Sequence, residues 1–112
     1  MIIKKSERKK HSPHVGCTSY EYEHGDRDID IALIELRGRH PEKGVVISKV
    51  SKEIIFVSKG NGKVEIDGKE FLVNEGDAII ILPDKKYFLE GNMDLIISCH
   101  PPWNPDNYEY SE

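Results

Sequence analysis

The sequence has few of the features that would tie it to a membrane, a disulfide framework or a nucleic acid. No stretch approaches the roughly 20 apolar residues of a membrane-spanning helix, and only two cysteines, Cys17 and Cys99, are present. Two cysteines are too few for a disulfide framework, and these lie too far apart for a zinc knuckle. A formal net charge of −4 and a pI of about 5.7 disfavour a surface that contacts many phosphates. We therefore expect free thiols and neither a membrane nor a nucleic-acid partner.

The N-terminal residues also lack the features of a secretory signal. Five of the first ten residues are basic, but no apolar segment and no small-residue cleavage site follows them. This favours a cytoplasmic location. We interpret residues 1–14 as a solvated basic arm or first strand and assign no function to its charge.

What the sequence does contain is typical of one folded all-β domain. Its 112 residues are 38% hydrophobic, which is enough for a single core. β-Branched and aliphatic segments without helical period cover residues 29–36, 44–50, 53–58, 63–66, 69–73, 78–82, 86–90 and 93–99. Turn signals rich in Gly, Asn and Asp lie at 60–62, 67–68, 74–77, 83–84 and 91–92. Many short antiparallel strands in a short chain predict a barrel or a two-sheet jelly roll, because closure removes exposed edges.

Two local signals refine this prediction. Asp67-Gly68 suits a type I′ turn, in which both central residues need a positive φ, so we expect a two-residue hairpin there. Three prolines exclude a central strand from residues 101–112, so we expect this tail to pack on a barrel formed by residues 15–100. The aromatic residues of the tail either form a lid over the barrel or, as we favour, anchor the tail or a dimer seam: Trp103, Tyr108 and Tyr110.

Two segments carry the residues of known motifs. Residues 53–60, which begin with Glu53 and end with Gly60, resemble the end of the first motif of small single-domain cupins. Residues 76–87 pass from Gly76-Asp77 through an apolar strand and a proline turn to Tyr87, and they resemble the second cupin motif. The resemblance covers roughly residues 45–108. It implies the antiparallel jelly-roll barrel of the cupins as the fold.

The residues depart from the metal-binding cupins at most ligand positions. The resemblance implies two histidines before Glu53 and a third after Gly76. Those positions read Ile47 and Lys49, or Val46 and Ser48 if the loop is one residue longer, and Tyr87. Only Glu53 matches, so we expect no metal and no other cofactor. An ammonium group there would repel a dication, which predicts less than about one tenth of an equivalent of transition metal in the purified protein. A rebuilt site of Glu53, Tyr87 and His100 is the alternative.

The remaining polar residues predict a ligand site inside the barrel. Strand alternation turns Glu53, Ile55 and Val57 inward, together with Tyr87 at the end of the second motif and Leu89 two residues after it. Burial would raise the pKa of Glu53 unless a cation or a hydrogen-bond donor compensates, and Lys49 is the obvious candidate. The alternative is that Glu53 and Tyr87 satisfy each other, with Lys49 in solvent. We take Glu53 and Tyr87 as tentative catalytic residues, and the predicted ligand-binding residues are Lys49, Ile47, Ile55, His100 and Trp103.

The predicted function is the binding of a small polar molecule in the barrel without the usual metal. One hypothesis is a binding module that senses a metabolite. The other is a metal-independent isomerase, epimerase or lyase, in which Glu53 and Tyr87 transfer a proton on a sugar-like or carboxylate-bearing substrate. The sequence contains no phosphate-binding glycine loop, no Cys-x-x-Cys pair and no nucleophile elbow. Apolar first strands and an apolar tail further predict a homodimer.

Overall fold

Period-two patterning produces strands along almost the whole chain. A computed structural model describes residues 1–112. Its nine strands are β1 (Lys9–His14), β2 (Cys17–Glu21), β3 (Ala32–His40), β4 (Val45–Ser48), β5 (Lys52–Ile66), β6 (Lys69–Asn74), β7 (Ala78–Ile81), β8 (Lys86–His100) and β9 (Tyr108–Ser111). Short 3-10 turns at Lys5–Glu7 and Pro105–Asn107 are the only helical segments. No helix has the length and apolar character needed to cross a membrane.

All neighbouring strands pair antiparallel in one curled sheet. The order is β1-β2-β3-β8-β4-β9, and β5 pairs with β6, β7 and β8. The two longest strands, β5 and β8, pair from Lys52 opposite His100 to Ile66 opposite Tyr87. The predicted antiparallel jelly-roll barrel in a single domain is confirmed.

The turns predicted at 60–62 and 91–92 are absent, because β5 and β8 run through them. Gly60 has φ +85° and Gly91 has φ +147°. A Cβ at Gly60 would overlap the carbonyl oxygen of Asn92, and a Cβ at Gly91 would lie 2.6 Å from that of Asn61. The missing side chain of glycine allows the two paired backbones to lie close together here, and the chain does not reverse direction. The prediction of turns was wrong at both places.

The hairpin at Asp67-Gly68 is confirmed. The two residues have φ +49° and φ +83°, and the flanking Ile66 and Lys69 pair with each other. Asp84, at the position where the second cupin motif has glycine, also adopts a positive φ of 69°. Aspartate tolerates this conformation better than most residues, so the turn keeps its shape.

The predicted alternation along β5 is confirmed. Glu53, Ile55 and Val57 are buried, whereas Ile54 is 48% and Phe56 is 42% exposed. On β8, Tyr87 and Leu89 are buried, also as predicted. The inward side chains of these two strands form much of the barrel core, with Leu36 and Ile81 as further buried members.

The C-terminal residues lie against the barrel. After the 3-10 turn at Pro105–Asn107, β9 pairs with β4 and forms one edge of the sheet. Tyr108, the first residue of β9, is buried. The tail therefore contributes a side chain to the barrel interior as well as an edge strand.

Candidate functional site

A cavity of about 620 Å³ lies inside the barrel. Its walls include the loop between β2 and β3 and four residues of the tail, Pro102, Trp103, Tyr108 and Tyr110. Most lining side chains are apolar, and the ionisable ones that are not cysteine or tyrosine are Glu21, Glu23, Asp26, Asp30, Glu53, His11, His24 and His40. No lysine or arginine lines the cavity. A cavity with five carboxyl groups and no permanent cation disfavours anionic ligands.

Glu53 is the acceptor at the centre of a hydrogen-bonded cluster in this cavity. The residue is 2% exposed. Its Oε1 accepts from the hydroxyl of Tyr87 at 2.6 Å. Its Oε2 accepts from the hydroxyl of Tyr108 at 3.1 Å and from the thiol of Cys99 at 3.3 Å. Strands β5, β8 and β9 thus meet in what we call the Glu53 cluster: Glu53, Tyr87, Cys99 and Tyr108.

Burial dominates the electrostatics of the cluster. It raises the pKa of Glu53 above the ordinary value, and the three donated hydrogen bonds oppose the increase. Burial, with the Glu53 charge as the second cause, also raises the pKa of the Tyr87 and Tyr108 hydroxyls and of the Cys99 thiol. The phenols and the thiol therefore keep their protons. The Glu53 carboxyl is the member of the cluster that changes protonation first.

Asp30 closes one wall of the cavity. Its carboxylate accepts from the backbone N–H of Cys99 at 2.6 Å and from that of Trp103 at 2.8 Å. Its carbonyl oxygen accepts from the hydroxyl of Ser98 at 2.6 Å. These bonds hold residues 29–31 against the end of β8 and the start of the tail. They explain why the strand predicted at 29–36 begins only at Ala32.

The register of β4 differs from the one on which the predicted ligand residues were based. Val46 and Ser48 are buried, and Val46 lines the cavity. Ile47 projects to the opposite side and does not line the cavity. Of the two alternatives for the vacated histidine pair, the inward one is therefore Val46 and Ser48. The prediction of Ile47 as a ligand-binding residue is therefore corrected, because Ile47 lies outside the cavity.

Lys49 does not compensate the charge of Glu53. Its Nζ lies 3.7 Å from a carboxylate oxygen of Asp84 and 3.9 Å from one of Glu109, and its side chain is 47% exposed. Lys49 is absent from the cavity wall, because β4 ends at Ser48 and the chain then bends toward solvent. The prediction of a Lys49–Glu53 interaction was wrong, and hydrogen bonds stabilise the carboxyl group instead.

His100 also lies outside the cavity. Because Cys99 points inward on β8, His100 points outward, where its Nδ1 is 2.5 Å from the carbonyl oxygen of Asp28. The alternative metal site of Glu53, Tyr87 and His100 is therefore not assembled. Ile55 and Trp103, by contrast, line the cavity with Glu53 and Tyr87.

Asp30 was not among the predicted site residues, and Tyr108 was predicted only as part of an aromatic lid or as an anchor of the tail. Tyr108 anchors the tail and also donates to Glu53, while its ring lies 6.1 Å from that of Trp103. Three tail aromatics, Trp103, Tyr108 and Tyr110, line the cavity. The signal that the sequence offered for this role was a tyrosine in a tail expected to pack on the barrel, since a buried carboxyl inside that barrel can accept several hydrogen bonds.

Comparison with known proteins supports the same fold. A sequence model of the AraC-like ligand-binding domain matches residues 51–90. An uncharacterized protein of Methanocaldococcus jannaschii is 35% identical over 66 residues, or 55% of this chain. The chain spans about half, 53%, of the length of that relative.

Solved structures match over nearly the whole chain at low sequence identity. Pac13, a nucleoside dehydratase from Streptomyces, is 15% identical and covers 100% of this chain and 91% of its own, with a TM-score of 0.91. KdgF from a Halomonas species is 15% identical over 95% of this chain and 97% of its own, with a TM-score of 0.75. Oxalate decarboxylase from Bacillus subtilis is 13% identical over 95% of this chain and 30% of its own, with a TM-score of 0.78. The protein therefore has a small cupin-like fold.

The raised pKa of Glu53 predicts that its contribution to stability decreases as pH rises. A carboxyl with a folded pKa above the unfolded value stabilises the folded state fully below the unfolded value, about 4.3 for an exposed glutamate. That contribution is lost as pH rises through the folded pKa, at up to about 1.4 kcal/mol per pH unit. Urea unfolding of the wild type and of Glu53→Gln between pH 4 and 8 should therefore show the variant gaining relative stability with pH. Glu75→Gln, in an exposed turn, is the control; parallel profiles for wild type and Glu53→Gln would contradict the prediction.

Proposed function

We propose that this cupin-like protein binds a small neutral, hydroxyl-bearing molecule inside its barrel, at the Glu53 cluster and without a metal at the motif position. The observation that carries the proposal is the Glu53 carboxyl, 2% exposed in a cavity without lysine or arginine and bonded only to neutral donors. Such a carboxyl gains from any further hydroxyl donor that reaches it, because charge-assisted hydrogen bonds are the stronger kind.

Cavity size and charge both favour a neutral ligand. A volume of about 620 Å³ lies within the range of roughly 300–1,000 Å³ typical of small-molecule sites. Asp30, Glu53 and the carboxylates of the loop between β2 and β3 would repel a phosphate or a carboxylate ligand. Of the two substrate classes expected from the sequence, the sugar-like one is therefore favoured over the carboxylate-bearing one.

A structural neighbour supports a nucleoside or sugar as the chemical class. Pac13 is a nucleoside dehydratase, and variants of that protein with tyrosine or histidine replaced have been solved with uridine. A nucleoside combines hydroxyl groups, which suit the Glu53 cluster, with an aromatic base, which suits the tail aromatics. Trp103 and Tyr110 line the same cavity.

The position that corresponds to the metal site of metal-binding cupins offers poor ligands in this protein. Its inward residues are Val46, Ser48, Glu53 and Tyr87, which supply one carboxylate, one hydroxyl already bonded to the Ser51 carbonyl at 2.9 Å, and one phenol. No imidazole or thiolate is among them. Divalent transition ions prefer nitrogen and sulfur ligands, so we propose that ligand recognition there uses hydrogen bonds rather than a metal.

Trp103 provides a direct test of binding, because it is the only tryptophan of the chain and lines the cavity. We expect saturable changes in its fluorescence with neutral nucleosides or sugars, uridine first, and weaker or absent binding of the corresponding phosphates. Glu53→Gln should weaken binding by about tenfold or more, since a hydrogen bond to a charged group contributes about 1.5–3 kcal/mol. Glu75→Gln should bind as wild type. Equal or tighter binding of phosphates, or binding unaffected by Glu53→Gln, would contradict the proposal.

A second candidate is a lyase that removes water from such a ligand. The 2.6 Å hydrogen bond between Tyr87 and Glu53 favours it, because it links an acid and a base directly. The Glu53 carboxylate would take a proton from a carbon atom as the C–H bond breaks. Tyr87 would give its proton to the hydroxyl on the neighbouring carbon as the C–O bond breaks. A C=C bond forms, water leaves, and the proton on Glu53 returns to Tyr87.

Replacing Tyr87 separates the two candidates. Tyr87→Phe keeps the ring and removes the proton donor, so a lyase should lose about 100-fold or more of its turnover while ligand binding persists. Mass spectrometry of a ligand found by Trp103 fluorescence, before and after incubation, measures the loss of one water. A ligand that binds the wild type and never changes in mass would favour the sensing module over the lyase.

We further propose that the protein forms a homodimer through the outward faces of β5 and β7. We expected the dimer to form through apolar first strands. The first strand, β1, is instead polar and largely exposed, so it does not provide an apolar interface. Four exposed apolar residues lie instead along β5 and on or just after β7: Ile54, Phe56, Ile80 and Leu82. Ile54 lies opposite Ile80 in the β5–β7 pair. β7 pairs only with β5, so its other edge is open. An open edge beside an exposed apolar face suits a twofold interface with a second copy.

Light scattering measures this directly. We expect a particle of twice 12.8 kDa for the wild type and a monomer for Ile80→Lys, which places a charge in the centre of the face. A wild-type particle of 12.8 kDa at micromolar concentration would contradict the dimer.

A further inference from the structure

Three potential metal ligands meet where the turn between β1 and β2 packs against the end of β3. His14 and Cys17 are opposite each other in the β1–β2 pair, and His40 is the last residue of β3. Nε2 of His14 lies 3.0 Å from Nδ1 of His40, and the two rings stack at 5.3 Å with an angle of 7°. The ligand atoms of all three residues, including the Cys17 sulfur, lie within 4.8 Å of one another.

We propose that His14, Cys17 and His40 form a binding site for a divalent ion of the zinc type, at a position distinct from that of the cupin motifs. Imidazole nitrogen and thiolate sulfur are the ligands that zinc prefers. The observed 3.0 Å between the two nitrogens is close to the edge of roughly 3.3 Å that a tetrahedron with Zn–N distances of about 2.0 Å requires. The ligands come from three separate segments, β1, β2 and β3, so the fold itself assembles the site.

The second nitrogen of His14 is already positioned as in metal sites. Nδ1 of His14 lies 2.9 Å from the carbonyl oxygen of Val15 and 3.8 Å from a carboxylate oxygen of Glu42. An N–H donated to these acceptors leaves the lone pair on Nε2, which faces His40. Such outer acceptors fix the tautomer and orientation of metal-binding histidines.

The turn that carries His14 and Cys17 is fixed against β3. Gly16 has φ +94°, and a Cβ there would lie 2.6 Å from the carbonyl oxygen of Arg37. The backbone N–H of Arg37 donates to the Gly16 carbonyl at 2.6 Å. Only glycine permits this approach, which sets the turn beside the end of β3.

Binding of the ion changes no oxidation state, so it requires no oxidant or reductant and only protons have to be accounted for. The Cys17 thiol releases its proton to solvent, and the thiolate binds the ion. The proton that His40 shares with His14 across the 3.0 Å contact moves to the other nitrogen of the His40 ring, so that both facing nitrogens bind the ion. One proton is therefore released for each ion bound.

The fourth position of such a site would face the ligand cavity. Cys17 and His40 line that cavity, on whose wall Glu53 also lies. Three protein ligands with an open fourth position are typical of zinc sites that bind water or a substrate. The proposal revises our expectation of a metal-free protein, which treated the histidines as scattered along the sequence rather than spaced as ligands. It does not depend on ligand binding at Glu53.

Cobalt and zinc binding by the full chain tests the proposal. We expect one equivalent of Zn²⁺ to remain after dialysis, and Co²⁺ to produce thiolate-to-metal charge-transfer absorption. Cys17→Ser should abolish that absorption, and His14→Gln and His40→Gln should each weaken binding by about tenfold or more, the least that perturbing a metal shell costs. The control His100→Gln, at an exposed histidine outside both the cavity and the cluster, should bind both ions as the wild type does.

Circular dichroism of each variant separates loss of the site from loss of the fold. His14 is partly exposed, so His14→Gln tests the site without disturbing the packing of the core. Substoichiometric Zn²⁺ uptake by the folded wild type would overturn the proposal. So would cobalt absorption that persists in Cys17→Ser, or binding that is unchanged in all three folded ligand variants.

Discussion

The burial of the Glu53 carboxyl without a cation constrains the architecture around it. An isolated buried carboxylate is costly, and here three neutral donors from β8 and β9 offset part of that cost. One of these donors, Tyr108, belongs to the tail, so the tail must return to the barrel and pair with β4 before the carboxyl is satisfied. The edge strand β9 is thus part of the site as much as part of the sheet. Asp30 fixes the same region from the other side through the backbone of Cys99 and Trp103.

Much of the fold follows from short-range patterns in the sequence. Alternation along β5 predicted the inward set of Glu53, Ile55 and Val57, and Asp67-Gly68 predicted the hairpin between β5 and β6. Two features could not be read this way. Glycine-rich segments at 60–62 and 91–92 carry a turn signal, yet they serve the contact of two paired backbones. The register of β4 depends on one residue of loop length, and a slip of one residue exchanges the two faces of a strand.

Of the residues that form the candidate site, the sequence predicted mainly those that lie within the two cupin-like segments. Glu53 and Tyr87 lie in the two cupin-like segments, and the structure brings them together. Tyr108 and Asp30 lie outside both segments, and their positions depend on how the tail and a long loop cross the barrel. The same holds for His14, Cys17 and His40, whose sequence signal is limited to a histidine three residues before a cysteine. Their proximity is a product of the β1–β2 turn packing against the end of β3.

The most direct test of the central claim is the titration of Glu53 itself. Carbon-13 NMR of protein labelled at the glutamate side-chain carboxyl, with Glu53→Gln to assign the resonance, reports the protonation of this group alone. A carboxyl held by neutral donors in a cavity without a cation should titrate above about 4.3, the value of an exposed glutamate. A midpoint at or below that value would mean that a cation or a well-hydrated environment compensates the charge, and it would contradict the account of the cavity given above.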